Sequence, residues 1–261
     1  MTILDTIIAD KKREVQLKKQ LIPVAQLENS VLFGARTQSL SKNLRHNLIG
    51  IIAEHKRRSP SKSVINNAFS VEEVVIGYQN AGASGISVLT DGKYFGGSLD
   101  DLLLAKASVT IPLLRKEFIV DEYQILEAKA HGADAILLIA SVLTRAEIKH
   151  LSEFAQSLGL EVLLEVHNRE ELEKSIMSSL DMIGVNNRSL KTFEVSLDTS
   201  KQLAAYIPDE FVKVSESGIH STSAISELQP FGYQGFLIGE HFMKTENPAK
   251  AAKEFITVLI S

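Results

Sequence analysis

The sequence predicts an α/β fold, a closed (βα)8 barrel, and three observations point to it. Eight short apolar, β-branched runs recur along the chain, and segments with helical periodicity separate them. The runs begin roughly 21 to 37 residues apart, which suits βα units rather than hairpins. Strands that are apolar almost throughout belong to a parallel sheet covered on both faces. Eight of them in 261 residues fit one closed barrel. An open doubly wound sheet is the alternative, but no GxGxxG follows the first run.

Residues 1–47 precede the first run and read as a helical extension packed on the barrel. In MTILDTIIADKKREVQLKKQ the apolar residues Ile3, Leu4, Ile7, Ile8 and Val15 recur at roughly helical spacing. The strand runs are LIGIIAE at 48–54, GISVLT at 85–90, IPLLRK at 111–116 and DAILLIA at 134–140. EVLLEV at 161–166, MIGVN at 182–186, FVKVSE at 211–216 and GFLIGE at 235–240 follow. Between them VEEVVIGYQNAGA, DEYQILEAKAHGA, TRAEIKHLSEFAQSLG and NREELEKSIMSS read as helices, several ending in Gly or Gly-Ala, the usual C-cap. No linker composition interrupts the series. The prediction is one domain, 1–261, a (βα)8 TIM barrel with an extra N-terminal helical segment.

Composition removes several function classes. The chain has no cysteine, which excludes disulfides, thiolate metal sites and cysteine nucleophiles. A net charge of −4 excludes a strongly basic nucleic-acid binder. No apolar run approaches the roughly 18–20 residues of a membrane span. The N-terminus starts with an acid and alternates charge signs, unlike a signal peptide, so a soluble cytoplasmic protein is expected. His46, His55, His131, His150, His167, His220 and His241 show no HxH or HExxH spacing, so no metal site is expected.

Barrel chemistry sits where the βα loops converge, at the C-terminal strand ends, and side chains there alternate between interior and helix layer. Ile52, Glu54 and Lys56 share one phase, as do Leu114, Lys116 and Phe118. Leu163, Glu165 and His167 share a phase, then Gly184, Asn186 and Arg188, then Val212, Val214 and Glu216. Strand ends meet solvent and become polar anyway. Five strands in consistent phase, however, place ionisable or amide groups in one mouth, where unpaired charge costs several kcal/mol. Two lysines and three glutamates there must pair or tune one another's proton affinity. Glu54 and Lys56 read as an ion pair. Ser217-Gly218 after the seventh run and Gly239-Glu240 after the eighth occupy the common phosphate position of barrel enzymes, although glycine is also routine turn chemistry. Arg57 to Asn67, stiffened by Ser59-Pro60, has the charge and length of a lid over an anion; a solvated surface loop is the plainer reading. His55 and Lys213 fall in the outward phase.

AEHKRRSPSK, SVLTDGKYFGGS, LLRKEFI, LLEVHN, IGVNNRSLKTFEV, SESGI and LIGEHFM resemble, in order, motifs of the indole-3-glycerol-phosphate synthase family of tryptophan biosynthesis, over about residues 50 to 245. The resemblance implies an enzyme that closes the ring of 1-(2-carboxyphenylamino)-1-deoxyribulose 5-phosphate with loss of carbon dioxide and water. It implies no cofactor and no metal, and a small anionic partner rather than nucleic acid or membrane. Lys116 matches the general acid and Glu165 the second acid/base group. Lys56 matches the lysine that meets the substrate's anionic groups. Glu54 and Glu216 match carboxylates of the polar network, while Asn186 and Arg188 match residues that position the anilino group and chain hydroxyls. Ser59, Ser217, Gly218, Gly239 and Glu240 match positions around the phosphate and substrate carboxylate. Phe95, Phe118 and Leu137 match the apolar wall that receives the aromatic ring.

Three departures stand out. His55 replaces an aliphatic residue and Ser63 a glycine that loosens the loop, while Glu240 stands at a position often serine, where its carboxylate would repel phosphate. The rival readings are a class I aldolase using Lys56 or Lys116 as Schiff base, and a non-catalytic barrel that binds a phosphorylated ligand. Phosphoribosylanthranilate isomerase, on the same fold, needs a cysteine that this chain lacks.

Overall fold

A computed structural model describes residues 2–47, 49–60, 62–189 and 192–260. Eight parallel strands close into one barrel in chain order: β1 (Gly50–His55), β2 (Gly85–Leu89), β3 (Leu113–Lys116), β4 (Ala135–Ile139), β5 (Glu161–Val166), β6 (Met182–Asn186), β7 (Val212–Glu216) and β8 (Tyr233–Ile238). Leu48, where the first run was expected to begin, lies outside the described residues. Three helices precede β1: α1 (Ile3–Leu21), α2 (Val24–Glu28) and α3 (Leu40–His46). The others are α4 (Val71–Ala81), α5 (Gly92–Phe95), α6 (Leu99–Ser108), α7 (Glu122–Ala130), α8 (Arg145–Ser157), α9 (Arg169–Ser175), α10 (Asp198–Ala204), α11 (Thr222–Leu228), α12 (Glu240–Met243) and α13 (Pro248–Ile260). Among the described residues no helix is long and apolar enough to cross a membrane.

Local chemistry accounts for the helix limits. Ser70 with Glu73 and Thr144 with Glu147 form capping boxes that satisfy the first N–H groups of α4 and α8. Gly82 ends α4 at φ +94°, a conformation that costs glycine nothing. The expected strand limits shift most at β3 and β8. β3 begins only at Leu113, because Pro112 has no N–H to give the ladder. β8 starts at Tyr233 and ends at Ile238, so Gly239 and Glu240 leave the sheet, Gly239 becoming the N-cap residue of α12.

Two apolar layers follow from strand alternation. One side of each strand packs on the surrounding helices, and the other fills the barrel with Ile52, Leu114, Leu137, Leu163, Met182, Val214 and Leu237. The bottom of the barrel is plugged by α3, whose Leu40 and Leu44 are fully buried within that inner cluster. Room for them comes from glycines at strand starts: a Cβ on Gly85 would lie 2.4 Å from Leu40, and one on Gly50 2.5 Å from Leu44.

The long helix α1 is held to the barrel wall by buried charge. Lys11 Nζ lies 2.8 Å from Glu14, 3.0 Å from Asp91 and 3.2 Å from Glu117. Lys18 bridges Glu14 and Glu127 at 3.1 Å each, and Arg115 joins Glu127 at 3.1 Å and Glu117 at 3.7 Å. The contacts close a ring of alternating sign from α1 through β3 to α7. Each buried charge therefore has a partner, the condition under which burial is tolerable.

Candidate active site

The fifteen residues that the resemblance matched to site positions line one cavity of about 240 Å³ at the C-terminal mouth of the barrel. Its floor is ionic. Lys116, at the end of β3, reaches across the barrel to Glu216 of β7, Nζ to Oε2 2.5 Å. The same nitrogen is 3.8 Å from Glu54 Oε2 of β1 and 3.8 Å from Glu165 Oε2 of β5. Lys56 closes the other side of Glu54 at 2.9 Å, so the ion pair expected from their spacing forms. Ser87 of β2 donates to Glu54 Oε2 at 3.3 Å.

Backbone spacing makes the floor possible. Gly184 of β6 is paired in register with Val214, and a Cβ there would lie 2.4 Å from Glu216 Oε1. Gly239 does the same for Glu54, whose Oε1 would be 2.5 Å from an added Cβ. Both glycines are notches for carboxylates. For Gly184 the sequence showed only its phase, because the need arises from a side chain on the neighbouring strand.

Three carboxylates and two ammonium groups leave the floor one negative charge in excess if all are ionised. Burial would raise the Glu54 carboxyl, but Lys56, Lys116 and the Ser87 hydroxyl outweigh it and hold it below its ordinary value. Glu216 goes the other way. Burial, helped by Glu165 and Glu54 and opposed by Lys116, pushes it up to about 7. Burial also disfavours the Lys116 ammonium, yet the carboxylates of Glu216, Glu54 and Glu165 prevail and raise its pKa above the lysine range. Lys116 is thus a loaded proton donor, and Glu216 is the group that takes up the excess proton near neutrality.

The walls are of two kinds. Phe95, at the end of α5, and Phe118, just after β3, have ring centroids 5.9 Å apart and with Leu137 form the expected apolar side. Ile3, Leu4 and Ile7 of α1 complete it; the sequence marked them as a helix face without saying what that face meets. On the opposite side Ser217 and Gly218 both adopt left-handed backbone, φ +66° and +80°, in the turn after β7, next to Gly239 and Glu240. Asn186 Oδ1 accepts the Arg188 backbone N–H at 3.0 Å, which ties the β6 end to the loop that follows.

The β1–α4 loop is anchored. Arg57 grips both carboxylate oxygens of Asp101 on α6 and the Gly96 carbonyl at 3.0 Å, and Arg58 donates to the Lys93 carbonyl at 3.0 Å. Ser61 lies outside the described residues. Lys62 of the same loop pairs with Glu240 of the cavity wall. That pairing revises the expected effect of Glu240: burial favours its neutral form, but Lys62, Lys56 and Arg188 keep the carboxyl below its usual range and offset its charge. His55 is buried outside the barrel as expected, its pKa lowered to about 4 by burial and Arg57.

Residues 4–255 match the family model described as indole-3-glycerol phosphate synthase. An indole-3-glycerol phosphate synthase of Bacteroides thetaiotaomicron is 48% identical over 98% of this chain and 98% of its own length. One of Campylobacter fetus is 42% identical over 97% of this chain and 98% of its own. Among solved structures, a thiamine phosphate pyrophosphorylase from Pyrococcus furiosus superposes with a TM-score of 0.59 at 15% identity, covering 85% of this chain and 100% of that one. At that identity the likeness concerns the fold alone.

Proposed function

The chain belongs to the indole-3-glycerol phosphate synthase family, and on that premise we propose which of its side chains carry the ring closure. The observation that supports the assignment is the setting of Lys116: one ammonium among carboxylates from three other strands, beside an aromatic wall. As the aromatic carbon attacks the substrate's ketone, negative charge builds on the ketone oxygen. Lys116 gives that oxygen its proton, and Glu216 and Glu54 hold the amine in place. Carbon dioxide then leaves from the attacking carbon, which restores aromaticity. Loss of the new hydroxyl as water needs a second acid/base group, and Glu165, 3.8 Å from Lys116, fills that role.

Binding divides between the two walls. Phe95, Phe118 and Leu137 take the aromatic ring and exclude water from it, which aligns the attack. Lys56 meets the anionic groups; Asn186 and Arg188 orient the anilino nitrogen and the chain hydroxyls. Phosphate sits on the backbone N–H groups of the Ser217-Gly218 and Gly239-Glu240 turns, with Ser59 at the rim. A Schiff-base aldolase fits less well, because imine formation needs a neutral amine and Lys116 is held protonated. We read the chain as a single domain with residues 1–47 as its extension, working in the cytoplasm.

Lys116→Ala should lower turnover by about 100-fold or more, the usual weight of general acid catalysis, while substrate still binds. Indole fluorescence in single turnover reads the chemistry, and quenching by the carboxyphenylamino substrate reads the binding. Undiminished turnover would remove Lys116 from the mechanism.

A further inference from the structure

His167 stands one residue past β5, in the phase of Glu165, yet it is not among the residues lining the cavity. Its ring lies behind Glu165 with 8% of the side chain exposed. Nδ1 is 3.3 Å from Glu171 Oε2, and the His167 backbone N–H donates to the same oxygen at 2.8 Å. Glu171 is in turn fixed in the first turn of α9. Its Oε1 accepts from Asn168 Nδ2 at 2.8 Å, and its own N–H donates to the Asn168 side chain at 2.9 Å. The far nitrogen, Nε2, is buried 3.4 Å from Glu165 Oε1 and makes no hydrogen bond among the described residues.

A carboxylate only accepts hydrogen bonds, and a neutral imidazole donates from one nitrogen alone. With Nδ1–H directed at Glu171, a neutral His167 turns the lone pair of Nε2 toward the lone pairs of Glu165. The contact becomes attractive only when a proton lies between them. Either an imidazolium donates to the carboxylate, or a protonated Glu165 donates to Nε2. The charged groups facing the ring are Glu165 of β5, Glu171 of α9 and Glu216 of β7, with Lys116 of β3 on the far side of Glu165. Burial pulls the imidazole pKa down, but the Glu171 hydrogen bond and the charges of Glu165, Glu171 and Glu216 overcome it and hold it above the ordinary value.

We propose that His167 is a positioning residue for catalysis, the middle of a Glu171–His167–Glu165 relay that holds Glu165 in place and sets which of its protonation states is favoured. The proposal rests on the reading of Glu165 as the acid/base group of the water-loss step. When Glu165 acts as base, the imidazolium stabilises its carboxylate. When its Oε2 has taken a proton, the pair carries one positive charge more, and Nε2–H still donates to Oε1, now the carbonyl oxygen of the neutral acid. The pair stays hydrogen-bonded through both halves of an acid/base cycle, and Glu171 keeps the ring from turning away.

The test compares His167→Gln, Glu171→Gln and Glu165→Gln in the full chain, with thermal melts to confirm folding. His167→Gln keeps the bulk and a donor but cannot carry the proton. It should lower kcat by about tenfold or more, part of the usual acid–base contribution, with KM changed by less than about twofold. The acid limb of its kcat–pH profile should move to higher pH, because Glu165 loses an adjacent cation and becomes easier to protonate. Glu171→Gln, which leaves the ring in place, should shift the limb in the same direction by less, and it serves in place of His167→Gln should that variant not fold. An unshifted acid limb, whether the rate is unchanged or lower by one factor at every pH, overturns the relay. Glu165→Gln separates the premise: if it turns over normally, the role of Glu165 falls, whereas an inactive Glu165→Gln beside an unshifted His167→Gln overturns the relay alone.

Discussion

Asp181 and Glu216 are both carboxyls that burial pushes upward, to about 6 and about 7, but they serve different ends. Glu216 faces the cavity and Lys116, where a carboxyl titrating near neutrality is useful. Asp181 precedes β6, accepts the Val162 N–H at 2.8 Å, and feels Glu161 as a further repulsion. Its folded pKa lies above its unfolded value of 3.8, so the cost of ionising it is absent below that value and complete above about 6. Asp181→Asn keeps the acceptor and removes the charge. It should stabilise the protein by about 1 kcal/mol at pH 8, after discounting for partial exposure, and leave it unchanged near pH 3.5. Urea unfolding at the two pH values checks this; equal effects at both would mean charge is not the cause. At this scale the sequence was informative about type and phase. Lys116, Glu165 and Glu216 were identifiable because strand alternation is strict, but the shifts on Lys116 and Glu216 depend on which strand lies across the barrel.

For the elements, the N-terminal extension shows where periodicity stops being sufficient. Helical spacing in residues 3–15 predicts a helix with an apolar face, and α1 forms. Its docking, however, depends on Lys11, which the sequence offers as one cation among many in a charged stretch. In the structure Lys11 is 2% exposed and pairs with Asp91 and Glu117, which stand just past the ends of β2 and β3. Glu117 also accepts the Phe118 N–H at 2.8 Å, so the ring fixes the turn that carries one aromatic of the wall. Lys11→Met would leave Asp91 buried without its cation and Glu117 with only the longer ion pair to Arg115 at 3.7 Å. Stability should fall by about 3–5 kcal/mol, the usual result of removing one partner from a buried pair. A loss under about 1 kcal/mol in chemical denaturation would show that the ring does not hold the helix.

Taken as a whole, the molecule separates its stability from its chemistry along the barrel axis. Leu40 and Leu44 close the bottom and the ionic floor lies at the top, with the layer of Ile52, Leu114, Leu163 and Val214 between them. Leu44→Ala should therefore cost about 2–5 kcal/mol of stability while kcat and KM at 25 °C stay within about twofold of the parent. Thermal melting and steady-state kinetics on one preparation test both halves; a large change in kcat would mean the bottom plug sets the geometry of the top. The order of strands and the single closed sheet followed from the sequence, since eight buried parallel strands with crossover helices have few ways to pair. The inward phase at β1, β3, β5, β6 and β7, and hence the polar residues of the floor, followed too, because a residue's side of a strand is set by its neighbours along the chain. What required the tertiary structure was every relation between groups distant in the chain: the notch at Gly184 for Glu216, the Lys62 partner of Glu240, the ring around Lys11 and the imidazole behind Glu165. Direction is a local property of the backbone, whereas proton affinity and pairing depend on separation through space, which exists only once the barrel has closed.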